Sequence, residues 1–136
     1  VDGGGGYASG IIDPLRIDID FNAMFDEVVI VEVHNNGTPY DVKSYADLGT
    51  EIYAEAAETL KGCVIRNAPS LLESDLTERT YTFVNKSGRT VKKLTEKEKF
   101  KDANGRSPDD GDGFCLCAAP DVIFRYMSPA GLVDFA

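Results

Sequence analysis

The chain has 136 residues, of which 43% are hydrophobic, and a formal net charge of -9. This length and composition predict one globular domain with a modest core. The negative charge argues against a protein that coats nucleic acid, because phosphate neutralisation supplies most non-specific affinity. No apolar run approaches a bilayer span and the first residues lack the layout of a secretion signal, so we expect a soluble, intracellular protein without membrane contact.

The predicted elements of the first half alternate between strand and helix. Asp2 ends a strand and is followed by the glycine-rich turn GGGGYASG and a helix over residues 7–16. The β-branched run at 27–33 predicts a strand buried on both faces. Residues 41–61 repeat apolar side chains every three to four positions and precede Gly62, which predicts the longest helix.

The second half adds a hairpin and three shorter helices. Residues 63–68 are read as a short strand, and 70–77 as a helix whose cap is Ser70 with Glu73 three residues on. Residues 80–94 alternate around the turn NKSG, which predicts a β-hairpin. A base-stacking role for its aromatic residues Tyr81 and Phe83 is less favoured than a place on the buried face of the hairpin.

The remaining predicted helices are a basic turn or two at 95–103 and a helix at 107–119. Ser107 fits the N-cap of the last helix and Pro108 its first position. Together the elements predict an α/β core with parallel neighbouring strands, to which the hairpin is an addition. In such sheets, ligands and catalytic groups collect where strands end and helices begin.

Three carboxylates crowd the start of the last helix. Asp109 and Asp110 favour the positive end of the helix dipole, so helix initiation explains part of the pattern. Asp112 lies one turn beyond Asp109 on the same face, and two adjacent carboxylates need a cation or a proton. A divalent metal is one solution, because Mg²⁺ prefers hard oxygen ligands. An ordinary acidic helix start is the other reading.

The basic residues are concentrated in one segment. Between residues 86 and 106, eight basic side chains stand against three acidic ones, so this segment carries +5 and the remainder of the chain −14. A basic strip on an acidic body is typical of a polyanion site or of a solvated face. The eight are Lys86, Arg89, Lys92, Lys93, Lys97, Lys99, Lys101 and Arg106.

Other candidate sites receive weaker support. The glycine turn after Asp2 fits neither a P-loop nor a dinucleotide-binding motif, although a nucleotide-binding regulator remains an alternative. His34 is read as a loop residue and Asp13 as a cap or ion-pair partner. The three cysteines are an odd number without disulfide or zinc spacing, which predicts reduced and buried thiols.

Several motifs together resemble one family. VDGGGGYASGIIDPLR resembles the strand-to-helix motif in the nuclease domain of tailed-bacteriophage large terminase subunits. DVKSYADLGTEIYAEAAETLKG is similar to the long helix that follows in that family, and LLESDLTERTYTFVNKSGRTVKKLTEKEKFKDANGRSPDDGDGFCLCA to its closing block. The resemblance covers residues 1–119 and leaves 120–136 as a C-terminal tail.

The resemblance implies a ribonuclease H-like fold and a metal-dependent endonuclease that cuts concatemeric viral DNA during genome packaging. It implies two Mg²⁺ or Mn²⁺ ions, with Asp2 and Asp109 as catalytic ligands and Asp112 assisting the metal. Asp110, Gly111 and Gly113 depart from the residues usual in the family. The resemblance also implies that Lys97 contacts phosphate. Six residues of the basic strip are then expected to hold the DNA backbone, namely Lys86, Arg89, Lys92, Lys93, Lys97 and Arg106.

In the family, an earlier strand carries the first catalytic Asp and a separate domain carries the ATPase. We therefore expect this chain to be the C-terminal portion of a longer protein that lacks its N-terminal strands here. The implied partners are double-stranded viral DNA, the ATPase domain of the parent chain, the portal and the small terminase subunit, in the cytoplasm of an infected bacterium. The alternative function is a non-catalytic phage assembly module that docks onto portal or capsid proteins.

Overall fold

A computed structural model describes residues 13–14 and 31–127 of the chain. Within 31–127 it contains five helices and one antiparallel hairpin. None of the helices in the described part of the chain reaches the length and apolarity needed to cross a bilayer. The elements are α1 (Leu48–Leu60), α2 (Leu72–Thr77), β1 (Tyr81–Lys86), β2 (Arg89–Leu94), α3 (Lys97–Asn104), α4 (Asp109–Ala118) and α5 (Pro120–Met127).

Helix α1 begins seven residues later than predicted. Asp47 is its N-cap, and the Oδ1 atom of this residue accepts hydrogen bonds from the Thr50 amide at 2.9 Å and the Thr50 hydroxyl at 2.5 Å. An N-cap of this kind stabilises a helix by about 1 kcal/mol. The predicted start at Asp41 is wrong because residues 44–46 pair instead with β2, through hydrogen bonds to the backbone of Lys92.

The core lies where α1 packs against α4 and α5. Leu48, Ile52 and Ala56 recur every four residues, so they share one face of α1, and all three are buried. Cys115 of α4, Ala119 between the two helices and Val122 of α5 meet this face, and Val33 completes the cluster. Residues 120–127, for which the sequence predicted no element, therefore add a helix to the same core.

The hairpin is present as predicted. Its two-residue turn, Ser87–Gly88, has φ angles of 53° and 77°, a pair of left-handed residues that matches the twist of a β-hairpin. The prediction that Tyr81 and Phe83 form the buried face is wrong, since these side chains are 54% and 66% exposed. The buried residue of the hairpin is Val91, which points to the opposite face.

Several local predictions are also wrong. Residues 63–68 form no strand and are exposed. Helix α2 has Leu71 at its N-cap position and no side-chain cap, so the capping box at Ser70 does not form. Helix α4 has Pro108 rather than Ser107 at its N-cap position. Of the three free cysteines, only Cys115 is buried.

Helices combined with a hairpin confirm the mixed α/β class. The predicted glycine turn, the catalytic strand ending at Asp2 and most of the buried strand at 27–33 lie outside the described residues. Asp13 and Pro14, which are helical and exposed, fall within the predicted helix at 7–16.

Candidate functional site

Asp112 is a buried carboxylate bound by side chains from distant parts of the chain. Its Oδ1 atom accepts a hydrogen bond of 2.5 Å from the Tyr53 hydroxyl and one of 2.6 Å from Nη1 of Arg79. The side chains of Arg79 and Asp112 are only 8% and 10% exposed. Oδ1 is therefore held in one position by two donors in a site largely shielded from water.

The second oxygen of the same carboxylate has a different environment. Nζ of Lys97 lies 2.5 Å from Oδ2 of Asp112 as an ion pair. Oδ2 is buried and has no hydrogen-bond partner within the part of the chain that the structure describes. The two oxygens of Asp112 thus differ, one fixed by two directional bonds and the other faced by a flexible cation.

Four separate elements assemble this site. Tyr53 lies on α1, Arg79 in the link between α2 and β1, Lys97 at the start of α3 and Asp112 in the first turn of α4. Arg79 is fixed further because its guanidinium lies 4.7 Å from the centre of the Tyr53 ring, where a cation is attracted to the aromatic face. Its Nη1 atom also donates to the Tyr53 hydroxyl at 2.9 Å.

Burial shifts the acidity of two groups around Asp112. Desolvation raises the pKa of Tyr53 well above its ordinary value, and the hydrogen bond to Asp112 raises it further. Burial also raises the pKa of the Cys115 thiol to about 12, with a smaller contribution from the negative charge of Asp112. Both groups are therefore neutral donors at physiological pH, and Cys115 is a structural thiol rather than a nucleophile.

An open cleft of about 620 Å³ is lined by Tyr53, Arg79 and Lys97, the three side chains that contact Asp112. Its walls come from the start of α1, the end of β2 and the start of α3. Three cations line it, Arg79, Lys93 and Lys97. The other lining residues are Asn35, Asn36, Asp47, Gly49, Thr50, Tyr53, Leu94, Glu96 and Glu98.

A second buried ion pair fixes the start of α4 to α2. The fully buried Asp75 accepts a hydrogen bond from Nη1 of Arg106 and one of 3.0 Å from the backbone N–H of Gly111. The Arg106 guanidinium also lies 5.4 Å from the centre of the Phe100 ring. Because Gly111 is one residue before Asp112, this pair helps to set the position of the Asp112 carboxylate.

The predicted acidic residues have different environments. Asp109 is exposed at the first position of α4, and Asp112 is buried one turn later. Asp2 lies outside the described residues, so its distance from Asp109 is not defined. Within the described ranges, no three His, Cys, Asp or Glu side chains form a group that could hold a metal ion. His34 is exposed, with Nε2 3.5 Å from Glu32.

The residues of the predicted basic strip differ in their partners. Arg106 pairs with Asp75, and the ammonium of Lys86 donates to the backbone carbonyl of Ala46. Lys93 lines the cleft and lies 3.3 Å from Glu96, and Arg89 is exposed at the hairpin turn. The strip is therefore not one continuous solvated face, because two of its members anchor the fold.

Sequence reasoning missed three residues of this site. Tyr53 falls outside the apolar repeat of α1, and Arg79 precedes the segment in which basic residues were counted. Asp75 was read only as part of a short helix. One signal in the sequence pointed towards a missed cation. Three carboxylates at one helix start are expected to differ in burial, and a buried carboxylate requires a cation nearby.

The chain matches no protein-family model, and comparisons with curated proteins and with solved structures find no significant match.

Proposed function

We propose that this chain is part of a metal-dependent DNA endonuclease that cuts concatemeric viral DNA during genome packaging, on a ribonuclease H-like core. The type of reaction is inferred from the resemblance in sequence motifs. The observation that carries the proposal is the asymmetric carboxylate of Asp112, held through Oδ1 and faced at Oδ2 only by the ammonium of Lys97 within the described residues.

This donor set suits a hard divalent cation. Carboxylate oxygens are the ligands that Mg²⁺ and Mn²⁺ prefer, and the ammonium of Lys97 already marks a position next to Oδ2 where positive charge is stabilised. Asp112 and Asp109, together with Asp2, would hold the ions. Bound ions would supply an activated water and neutralise the charge that develops on a phosphodiester.

The chain's own residues prepare the site for this chemistry. Tyr53 and Arg79 fix the carboxylate of Asp112, so that the Asp112 side chain itself needs no reorganisation when a metal ion replaces the Lys97 ammonium. Three cations (Arg79, Lys93 and Lys97) and three carboxylates (Asp47, Glu96 and Glu98) line the cleft. The cations are the groups that would contact the phosphates of DNA without reading sequence. Lys97 can exchange its contact with Asp112 for a phosphate, because its side chain is 29% exposed.

The test is Mn²⁺-dependent nicking of supercoiled plasmid by the full protein. Asp109→Asn is expected to lower the nicking rate at least about 100-fold, because it removes a metal ligand. Asp110→Asn is the matched control, since it removes the same charge from the neighbouring exposed residue of α4. Nicking by Asp109→Asn at the wild-type rate would overturn the proposal.

The second candidate is a non-catalytic assembly module that docks onto portal or capsid proteins. It is favoured by three exposed apolar side chains between α1 and α2. Val64 is 84% exposed, Ile65 41% and Leu71 45%. This candidate predicts plasmid nicking that is absent or unaffected by Asp109→Asn. It also predicts binding to a purified portal ring that Val64→Asp weakens and Thr82→Asp does not.

A further inference from the structure

The exposed face of the hairpin combines aromatic rings with positive charge. Tyr81, Phe83 and Lys92 share this face, because Phe83 pairs directly with Lys92 across the two strands and Tyr81 lies two residues before Phe83. The opposite face carries the buried Val91. The hairpin therefore turns its small apolar residues inward and its two aromatic rings outward.

Both rings are available to a ligand. Tyr81 is 54% and Phe83 66% exposed, and the rings meet edge to face with centroids 6.3 Å apart. The exposed parts of the two rings together form one aromatic surface, against which a further ring can pack. The ammonium of Lys92 lies 5.1 Å from the centre of the Tyr81 ring, so a cation is held beside this surface.

The charge of the hairpin selects the kind of ligand. Residues 81–94 contain four basic side chains and no acidic one. Lys92 lies on the face of the two rings, whereas Lys86, Arg89 and Lys93 lie on the opposite face with Val91. A purely apolar protein partner would offer no negative group to pair with this charge. A strand of nucleic acid uses both features, since its phosphates bind cations and its bases stack on aromatic rings.

The hairpin is also connected to the cleft. Its base includes Lys93 and Leu94, which belong to the cleft wall, and β1 starts two residues after Arg79. At about 3.3 Å per residue, each six-residue strand extends about 20 Å. A DNA strand bound in the cleft can therefore continue onto the hairpin.

We propose that Tyr81, Phe83 and Lys92 form a stacking surface for unpaired bases of single-stranded DNA next to the cleft. This inference rests on the proposed function for the identity of the nucleic acid. Duplex DNA keeps its bases stacked on one another, so the rings engage only a strand that is frayed, nicked or already cut. The surface thus holds an opened strand rather than the intact duplex.

The absence of tryptophan from the sequence allows a direct test. Phe83→Trp places a single indole on the surface, and Phe124→Trp is the matched control, since Phe83 and Phe124 are equally exposed at 66%. In EDTA, where no cutting occurs, a dT oligonucleotide is expected to quench the fluorescence of Phe83→Trp and not of Phe124→Trp. An abasic oligonucleotide with the same number of phosphates is expected to quench neither.

Affinity measurements complete the test. Phe83→Ala and Tyr81→Ala are each expected to weaken dT binding about tenfold, whereas Phe124→Ala leaves it unchanged. Equal binding of the abasic strand, or unchanged binding by Phe83→Ala, would overturn the inference. Tighter, ring-dependent binding of an acidic peptide would also overturn it, by making the surface a protein site.

These outcomes are separable from the nuclease proposal. Ring-dependent binding without any plasmid nicking would remove the proposed function alone, and plasmid nicking with ring-independent binding would remove this inference alone.

Discussion

Nη1 of Arg79 lies 2.6 Å from Oδ1 of Asp112, although 33 residues separate the two in sequence. This contact joins the link before the hairpin to the first turn of α4. It also compensates the negative charge of a carboxylate whose side chain is only 10% exposed. The stability of the fold and the geometry of the candidate site therefore depend on the same ion pair.

Loss of this guanidinium is expected to be costly. Arg79→Met leaves Asp112 with Tyr53 and Lys97 alone, and breaking a buried pair on one side costs about 3–5 kcal/mol. Arg89→Met, which removes an exposed guanidinium from the hairpin turn, is expected to change stability by less than about 0.5 kcal/mol. Urea unfolding of both variants measures the difference. Equal midpoints would show that Arg79 contributes nothing specific.

Two glycines of α4 are expected to respond in opposite directions to alanine. A Cβ on Gly111 would lie 2.7 Å from Cβ of Asp75, whereas a Cβ on Gly113 meets nothing within 4 Å. Gly111→Ala should therefore cost about 1–3 kcal/mol through strain. Gly113→Ala should gain about 0.5–1 kcal/mol from helix propensity. Thermal melts of the two variants provide the measurement, and a shift in the same direction would contradict the close approach.

The three thiols are expected to differ in reactivity. Burial raises the pKa of Cys115 to about 12, so this thiol stays protonated and inaccessible near pH 8, while Cys63 and Cys117 are exposed. Iodoacetamide should label two cysteines in the folded chain and a third after denaturation, as counted by mass spectrometry. Rapid labelling of Cys115 in the native state would argue against the packing of α4 on α1.

Alkaline pH is expected to weaken the fold through Tyr53. The folded-state pKa of this phenol is raised, so its contribution to stability is complete below the ordinary value of 10.0 and declines as pH rises above it. Unfolding then becomes easier because only the unfolded chain ionises the phenol. Tyr53→Phe should flatten the fall in unfolding free energy above about pH 10, as measured by urea unfolding of this variant and the wild type at a series of pH values.

The hairpin shows what local sequence information can predict. Alternation around NKSG identified both strands and the turn, since a left-handed Ser–Gly pair is a local requirement. Alternation also grouped Tyr81 with Phe83 on one face. It does not say which face the rest of the chain covers, and the smaller residue Val91 occupies the buried side.

Non-local pairing explains the other errors. The sequence of residues 41–47 is compatible with a helix, but hydrogen bonds to Lys92 place residues 44–46 beside β2. Arg106 was likewise predicted to belong to the DNA-binding strip, because its partner Asp75 lies 31 residues earlier and is not evident from the sequence. The sequence singled out Asp112 at the acidic helix start, but its counter-ions Arg79 and Lys97 could not be assigned from spacing alone.

The backbone of Lys92 joins two regions of the chain. Its N–H donates to Ser44 and its carbonyl accepts from Ala46, immediately before the Asp47 cap of α1. Leu94 adds a third link, since its N–H donates to the Thr50 hydroxyl at 2.9 Å. Opening of β2 therefore also releases the first turn of the longest helix, so the two elements unfold as a single cooperative unit despite their separation along the chain.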